Sequence, residues 1–340
     1  MMPAIDRDKL KKSAFSVLAF LLLIFCIGNL ALGITWIDRS YPGFFFYGNM
    51  VVTDITPGVE NGEKLTRFKD RVIEANGIRI NNPSELFRIT GALPVGTDVE
   101  YKIERNGSTF NVSIPIQTFR ARDFAQMFGV IFAMGVVFFV IGALVLRMKP
   151  NAREGRAFFL FCAAICIWFT GSFDAQASNI LDQLIFFAWV FSPVAGIHLM
   201  FIFPSDTRIK ASAQNVVSLA FLFISAMLFI LNYIFFHSYD VWKHVNTVTW
   251  MYVVLSTVIF PVSSLMTYLR PASALEKQRA QIILLGCIFG LLVPAAAAAG
   301  ITVFNIDMPY NPMALPVVIF PLSIAYAIVK HKLFDIDVLL

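Results

Sequence analysis

Few side chains in this sequence are suited to chemistry, and their spacing decides what they can do. The four histidines, His198, His237, His244 and His331, are the groups able to bind zinc or move protons near neutral pH. Metal-assisted hydrolysis needs two of them four apart on one helix face with a glutamate as base, and no such pair occurs. A Gly-x-Ser-x-Gly elbow and a P-loop are also missing, which removes the nucleophile-elbow and phosphate-cradle chemistries. Cys162 and Cys166 are four apart and share a helix face, but with no nearby His or carboxylate they read as packing residues rather than metal ligands. No cofactor and no metal are expected. Ionisable groups well inside the apolar runs are scarce, and His198 is the best placed of them, which makes it a functional candidate by default. It also stands five residues before Phe203-Pro204, so a place at the membrane head groups is the alternative reading. Asn232 reads as a packing residue.

The elements that must position these groups are membrane helices. The chain has 340 residues, is 58% hydrophobic and 14% charged, and has a mean hydropathy of +0.71, far from a soluble globular balance. Apolar runs long enough to cross about 30 Å of hydrocarbon lie near 15–37, 125–147, 157–173, 184–203, 215–236, 248–269, 280–303 and 313–330. The expected fold is therefore an integral membrane helical bundle of about eight transmembrane helices. The runs at 157–173 and 313–330 are the shortest, which leaves a re-entrant or interfacial segment open there. The first run follows Arg7, Lys9, Lys11 and Lys12 and continues through Trp36, which is too long for a signal-peptide core and reads as an uncleaved anchor.

Basic residues fix the expected orientation, because Lys and Arg in short loops are retained on the cytoplasmic side. An N-terminus inside puts Arg7 to Lys12, Arg147 to Arg156, Arg208 and Lys210, Arg270 to Arg279, and Lys330 and Lys332 in the cytoplasm. Lys243 is left as the single basic residue in the short outer loops. Both ends are then cytoplasmic in an inner, multi-pass cell membrane. The net charge of +5 follows from this topology and implies lipid head groups as partner, not nucleic acid. All four cysteines lie in apolar runs, so no disulfide framework is expected.

Residues 40–118 differ in composition, with short alternating runs broken by Gly, Pro and Asn. They read as a small α+β domain outside the membrane. Strands are expected at Met50 to Asp54, Arg71 to Ala75, Asp98 to Arg105 and Thr109 to Pro115, with Asn106-Gly107 as a hairpin turn. A short helix over Glu85 to Ile89 follows the polar cap Asn82-Pro83-Ser84.

This segment resembles a bacterial-type PDZ domain. The carrying residues are Val51 to Gly58, Lys69-Asp70-Arg71-Val72-Ile73-Glu74-Ala75-Asn76-Gly77, Ser84-Glu85-Leu86 and Pro94 to Val99. The resemblance implies an extracytoplasmic groove in which an extended peptide or protein C-terminus adds a strand and a backbone loop holds its carboxylate. By position, Gly43, Phe44, Phe45 and Phe46 would belong to the carboxylate loop, with Ser84, Leu86 and Ile89 on the groove's second wall. Lys69 stands where the family usually has Gly, and the connection from Val59 to Phe68 looks long. The Phe run has a second reading, as aromatics packed on the bilayer or the bundle.

The seven later helices, 125–330, form one block, followed by an exit segment at 331–340. Tyr326 to Asp337 resembles the membrane exit of multi-helix bacterial sensor histidine kinases of the competence quorum-sensing type. His198-Leu199-Met200-Phe201-Ile202-Phe203-Pro204 and Ala274-Leu275-Glu276-Lys277-Gln278-Arg279 resemble two more of that family's motifs. The resemblance implies a sensor module that works as a homodimer and relays a cue to a cytoplasmic kinase or other output domain. His331, Lys332, Phe334, Asp335 and Asp337 would carry the signal out, or alternatively only anchor the helix at the head groups. A phosphoacceptor helix and an ATP-binding domain are not read within these residues, so no catalytic site is expected here. Kinked helices at Pro193, Pro261, Pro294, Pro316 and Pro321 leave a transporter as the rival reading, and a membrane-anchored PDZ scaffold as another.

Overall fold

The computed structural model describes residues 7–55, 65–204, 211–302 and 313–330. The exit segment with His331, Lys332, Phe334, Asp335 and Asp337 lies outside the described residues, as do Thr56-Pro57-Gly58. Helix α1 (Arg7–Trp36) leads into strands β1 (Ser40–Tyr41), β2 (Phe44–Phe46), β3 (Val52–Ile55), β4 (Arg71–Ala75) and β5 (Ile78–Arg79). Helix α2 (Pro83–Gly91) and strands β6 (Asp98–Arg105), β7 (Ser108–Pro115) and β8 (Gln117–Thr118) complete the inserted domain.

Local chemistry explains these elements. Asn106 and Gly107 both adopt positive φ, 52° and 79°, the backbone a two-residue hairpin between β6 and β7 requires. Asn76 and Gly77 turn β4 into β5 the same way, at 48° and 74°. Asn82 caps α2 by accepting from the Glu85 N–H at 3.0 Å, while Pro83 occupies the first helical position, where a missing N–H costs nothing. A four-stranded antiparallel sheet runs β5-β4-β6-β7, β2 pairs with β3, and β1 pairs with β8 to close the domain at its base. Its core collects Phe44, Phe46, Val72, Leu86, Val99, Tyr101 and Ile103, and burial raises the Tyr101 phenol well above its ordinary pKa.

The rest is helical: α3 (Ala121–Phe124), a π-turn (Ala125–Gly129), α4 (Val130–Met148), α5 (Arg153–Thr170), α6 (Asp182–Ile202) and α7 (Ala211–Phe235). Helices α8 (Tyr239–Thr257), α9 (Ile259–Leu269) and α10 (Ala274–Thr302) follow. A 3-10 turn (Leu315–Val318) then opens α11 (Ile319–Lys330). Among the described residues, six segments are long and apolar enough to cross a membrane, so the chain is a multi-pass membrane protein: 12–36, 121–148, 182–202, 212–235, 239–269 and 274–297. Helix α5, with Arg153, Glu154 and Arg156 in its first turn, and the short α11 lie outside that group. Both are shielded by protein: α5 packs against α1, α4 and α6, and α11 against α10 and α4. The run at 248–269 is broken at Val258, because Pro261 has no N–H for the Thr257 carbonyl.

Helices in lipid gain little from the hydrophobic effect between themselves, so close approach through small residues holds the bundle. A Cβ on Gly142 would lie 2.7 Å from the Cys162 Cβ, and one on Gly135 2.7 Å from the Thr170 Cγ2. Gly142→Leu is therefore expected to force α4 from α5 at a cost of about 1–3 kcal/mol, read as a lowered midpoint in detergent denaturation of the full chain.

The junctions α1 to β1, β8 to α3, α5 to α6 and α7 to α8 all meet at one end of the bundle, and the inserted domain sits there.

Candidate functional site

Gly43, with φ of 83°, lets the chain reverse after Pro42 into β2, a conformation a Cβ would strain. Strand β2 then sends its three phenylalanines to two different places, and all three are fully buried. Phe44 and Phe46 face the domain core, with Phe44 against Tyr101 at 5.2 Å and Phe46 stacked on Phe87 of α2 at 5.0 Å. Phe45 points the other way, into a cluster with Trp36, Tyr41, Phe119, Phe128 and Phe173. Of the predicted second-wall residues, Leu86 is in the domain core, Ile89 is half-buried against it and Ser84 is exposed.

Two segments of the bundle pack against β2 and α2. Trp36, the last residue of α1, lies edge-on to Phe87 at 4.9 Å and against Phe45 at 6.2 Å, with the Arg39 guanidinium 5.8 Å from its ring. The turn at 171–181 places Phe173 against Trp36, Phe45 and Phe128 at 5.8, 5.9 and 4.9 Å. Its Gln176 carbonyl accepts the Phe46 N–H at 3.3 Å. That amide is the group a strand added at β2 would use.

Asp174 shapes this turn. It is buried, and its carboxylate accepts the Leu181 N–H at 2.6 Å and the Ile180 N–H at 3.3 Å. Burial raises its pKa above the ordinary carboxylate value against the pull of those amides, and Asp182 adds to the rise. A carboxyl with a raised folded-state pKa contributes stability below its unfolded pKa and loses it as pH rises through the folded one. The turn is thus expected to gain hydrogen-exchange protection on acidification, corrected for intrinsic rates, and Asp174→Asn to flatten that dependence.

A second contact lies across the domain. The Tyr239 hydroxyl donates to the Lys69 carbonyl, Asn49 Nδ2 to the Phe236 carbonyl at 3.0 Å, and Lys243 Nζ to Asn106 Oδ1 at 2.5 Å. Val51, Tyr239 and Trp242 are buried together between them.

His198 is exposed on α6, His237 is exposed beside Phe236, and His244 pairs with the Asp240 carbonyl at 2.6 Å. No group of three or more potential ligands able to hold a metal occurs among the described residues. Cys166 Sγ lies 3.5 Å from Cys26 Sγ on α1, and Cys162 packs on Gly142. Sequence reasoning missed Trp36, Phe173 and Gln176, because their link to β2 and α2 is between segments remote in the chain. No protein-family model, no curated protein and no solved structure matches this chain.

Proposed function

We propose that this protein is a membrane sensor module. An extracytoplasmic PDZ-like domain takes an extended peptide or a protein C-terminus in the cleft between β2 and α2. The bundle, with eight crossings and both ends in the cytoplasm, relays occupancy to an output domain such as a histidine kinase. One observation supports the reading: β2 and α2 share side-chain packing with the bundle, through Trp36 of α1 and Phe173 of the α5–α6 turn, which gives a change at these elements a direct route to helix ends. A scaffold that only presented peptides would need no such shared packing. A transporter would place its polar site within the bundle. Among the described residues of the bundle helices no Asp, Glu, Lys or Arg is buried.

Topology and binding test it. A reporter inserted at Asn106 should be active only outside the cytoplasm, and one fused after Leu340 only inside it. The full chain in nanodiscs should bind peptides from a free-acid C-terminal library and not their amidated counterparts. Opposite reporter activities, or binding indifferent to amidation, would overturn the reading.

A further inference from the structure

Resting on that reading of the cleft, the structure assigns a regulatory role to the segment that now fills it. We propose that the 171–181 turn and Trp36 form an internal competitor. The peptide that replaces them supplies a backbone carbonyl to the Phe46 amide and an aromatic side chain to the space between Phe45 and Phe87.

Three observations lead there. First, the Phe46 N–H is satisfied by the bundle's own Gln176 carbonyl, the kind of bond an added strand would make. Second, an aromatic ring from the bundle is seated against both β2 and α2 beside their own Phe46–Phe87 contact: Trp36 lies 4.9 Å from Phe87 and 6.2 Å from Phe45, and Phe173 backs it at 5.8 Å. A competitor must replace that buried area, and an aromatic side chain does so at low conformational cost. Third, the turn is imperfectly satisfied. Both amide atoms of Asn179 and the Gln176 Oε1 are buried without a hydrogen-bond partner among the described residues. Buried unpaired polar atoms are costly, so releasing the turn to water recovers part of the interaction lost with it. A segment held by aromatic packing and opposed by its own polar groups is poised to leave. Because Trp36 ends α1 and the turn joins α5 to α6, its departure moves three helices of the bundle.

The turn can be locked in place. A Cβ at Gly48 would lie 3.4 Å from the Asn179 Oδ1 and 3.2 Å from the Phe236 ring, so the two segments are near neighbours, and Gly48→Cys with Asn179→Cys is treated with a membrane-impermeant oxidant and the fraction carrying the disulfide is isolated by intact mass. The probe is the free-acid decapeptide library with aromatic residues scanned through its last four positions, applied to the full chain in nanodiscs. The reduced double variant should bind aromatic-bearing peptides, the oxidised form roughly tenfold more weakly, and Phe173→Ala roughly tenfold more tightly than wild type, because apparent affinity scales with the fraction of open cleft. In the wild type, bound peptide should keep the Phe46 amide protected from exchange while the Ala177 and Asn179 amides lose protection. Equal binding by oxidised and reduced forms, with the turn still protected, would overturn the competitor while leaving the cleft as a binding site. Carboxylate-dependent binding absent from wild type, reduced variant and Phe173→Ala alike would overturn the cleft itself.

Discussion

Asp70→Ala is expected to destabilise the inserted domain by about 3 kcal/mol, the lower end of the cost of stripping one partner from a buried ion pair. Asp70 is 0% exposed and takes three donors: Arg105 Nε at 2.6 Å, Arg105 Nη2 at 2.8 Å and the Thr66 N–H at 2.6 Å. Removing it leaves a guanidinium over the Phe110 ring and an amide without its acceptor. The Arg105 side chain is 30% exposed, and water there limits the loss. Asp70→Asn keeps the shape and one acceptor oxygen and should cost about half as much. Hydrogen exchange of the β6 and β7 amides in the full chain measures the change. A double-mutant cycle with Arg105→Ala should return a coupling of at least about 1.5 kcal/mol. A coupling near zero would show that Asp70 acts through Thr66 alone.

Phe45→Ala should have a comparable effect in a different place, removing about 3–5 kcal/mol from the joint between domain and bundle. Its ring is buried against Tyr41, Phe119, Phe128 and Phe173 at 5.5, 5.3, 5.2 and 5.9 Å and contributes nothing to the domain core. Phe44→Ala instead opens the core beside Tyr101. The two variants should separate in exchange experiments. Loss at Phe45 deprotects the Phe46 amide and the 171–181 turn while β6 and β7 hold, and loss at Phe44 deprotects the sheet. Parallel losses in both variants would mean that domain and joint unfold as one unit.

The parts of this arrangement that are local in sequence could be read from it. The strands at Arg71–Ala75 and Asp98–Arg105 match expectation, and the last strand begins one residue early, at Ser108, because Asn-Gly pairs fix the hairpin ends. Helix α2 extends two residues beyond Glu85 to Ile89 at each end, from the Asn82 cap onward. Strand β2 has no strand signature in the sequence, since Phe44-Phe45-Phe46 is buried on both faces and shows no alternation. The 171–181 turn carries no motif at all: its meaning comes from β2, some 130 residues earlier. The apolar runs at 157–173 and 313–330, the shortest of those read from hydropathy, fall on α5 and α11, which are outside the six long apolar segments and, covered by neighbouring helices, are under less pressure to be apolar all round.

The domain's two seats on the bundle have a mechanical consequence. One is the aromatic joint at Trp36, Phe45 and Phe173, and the other the contact of Lys69, Asn49 and Asn106 with the α7–α8 corner. A body pinned at one point swings in any direction, but pinned at two it retains only rolling about the line through them. A load on the domain therefore reaches the bundle at that end, through α1, the 171–181 turn and the α7–α8 corner. The break at Val258 divides the α8–α9 span, so the part of that span that carries the domain's second seat is joined to α9 through a single residue outside both helices.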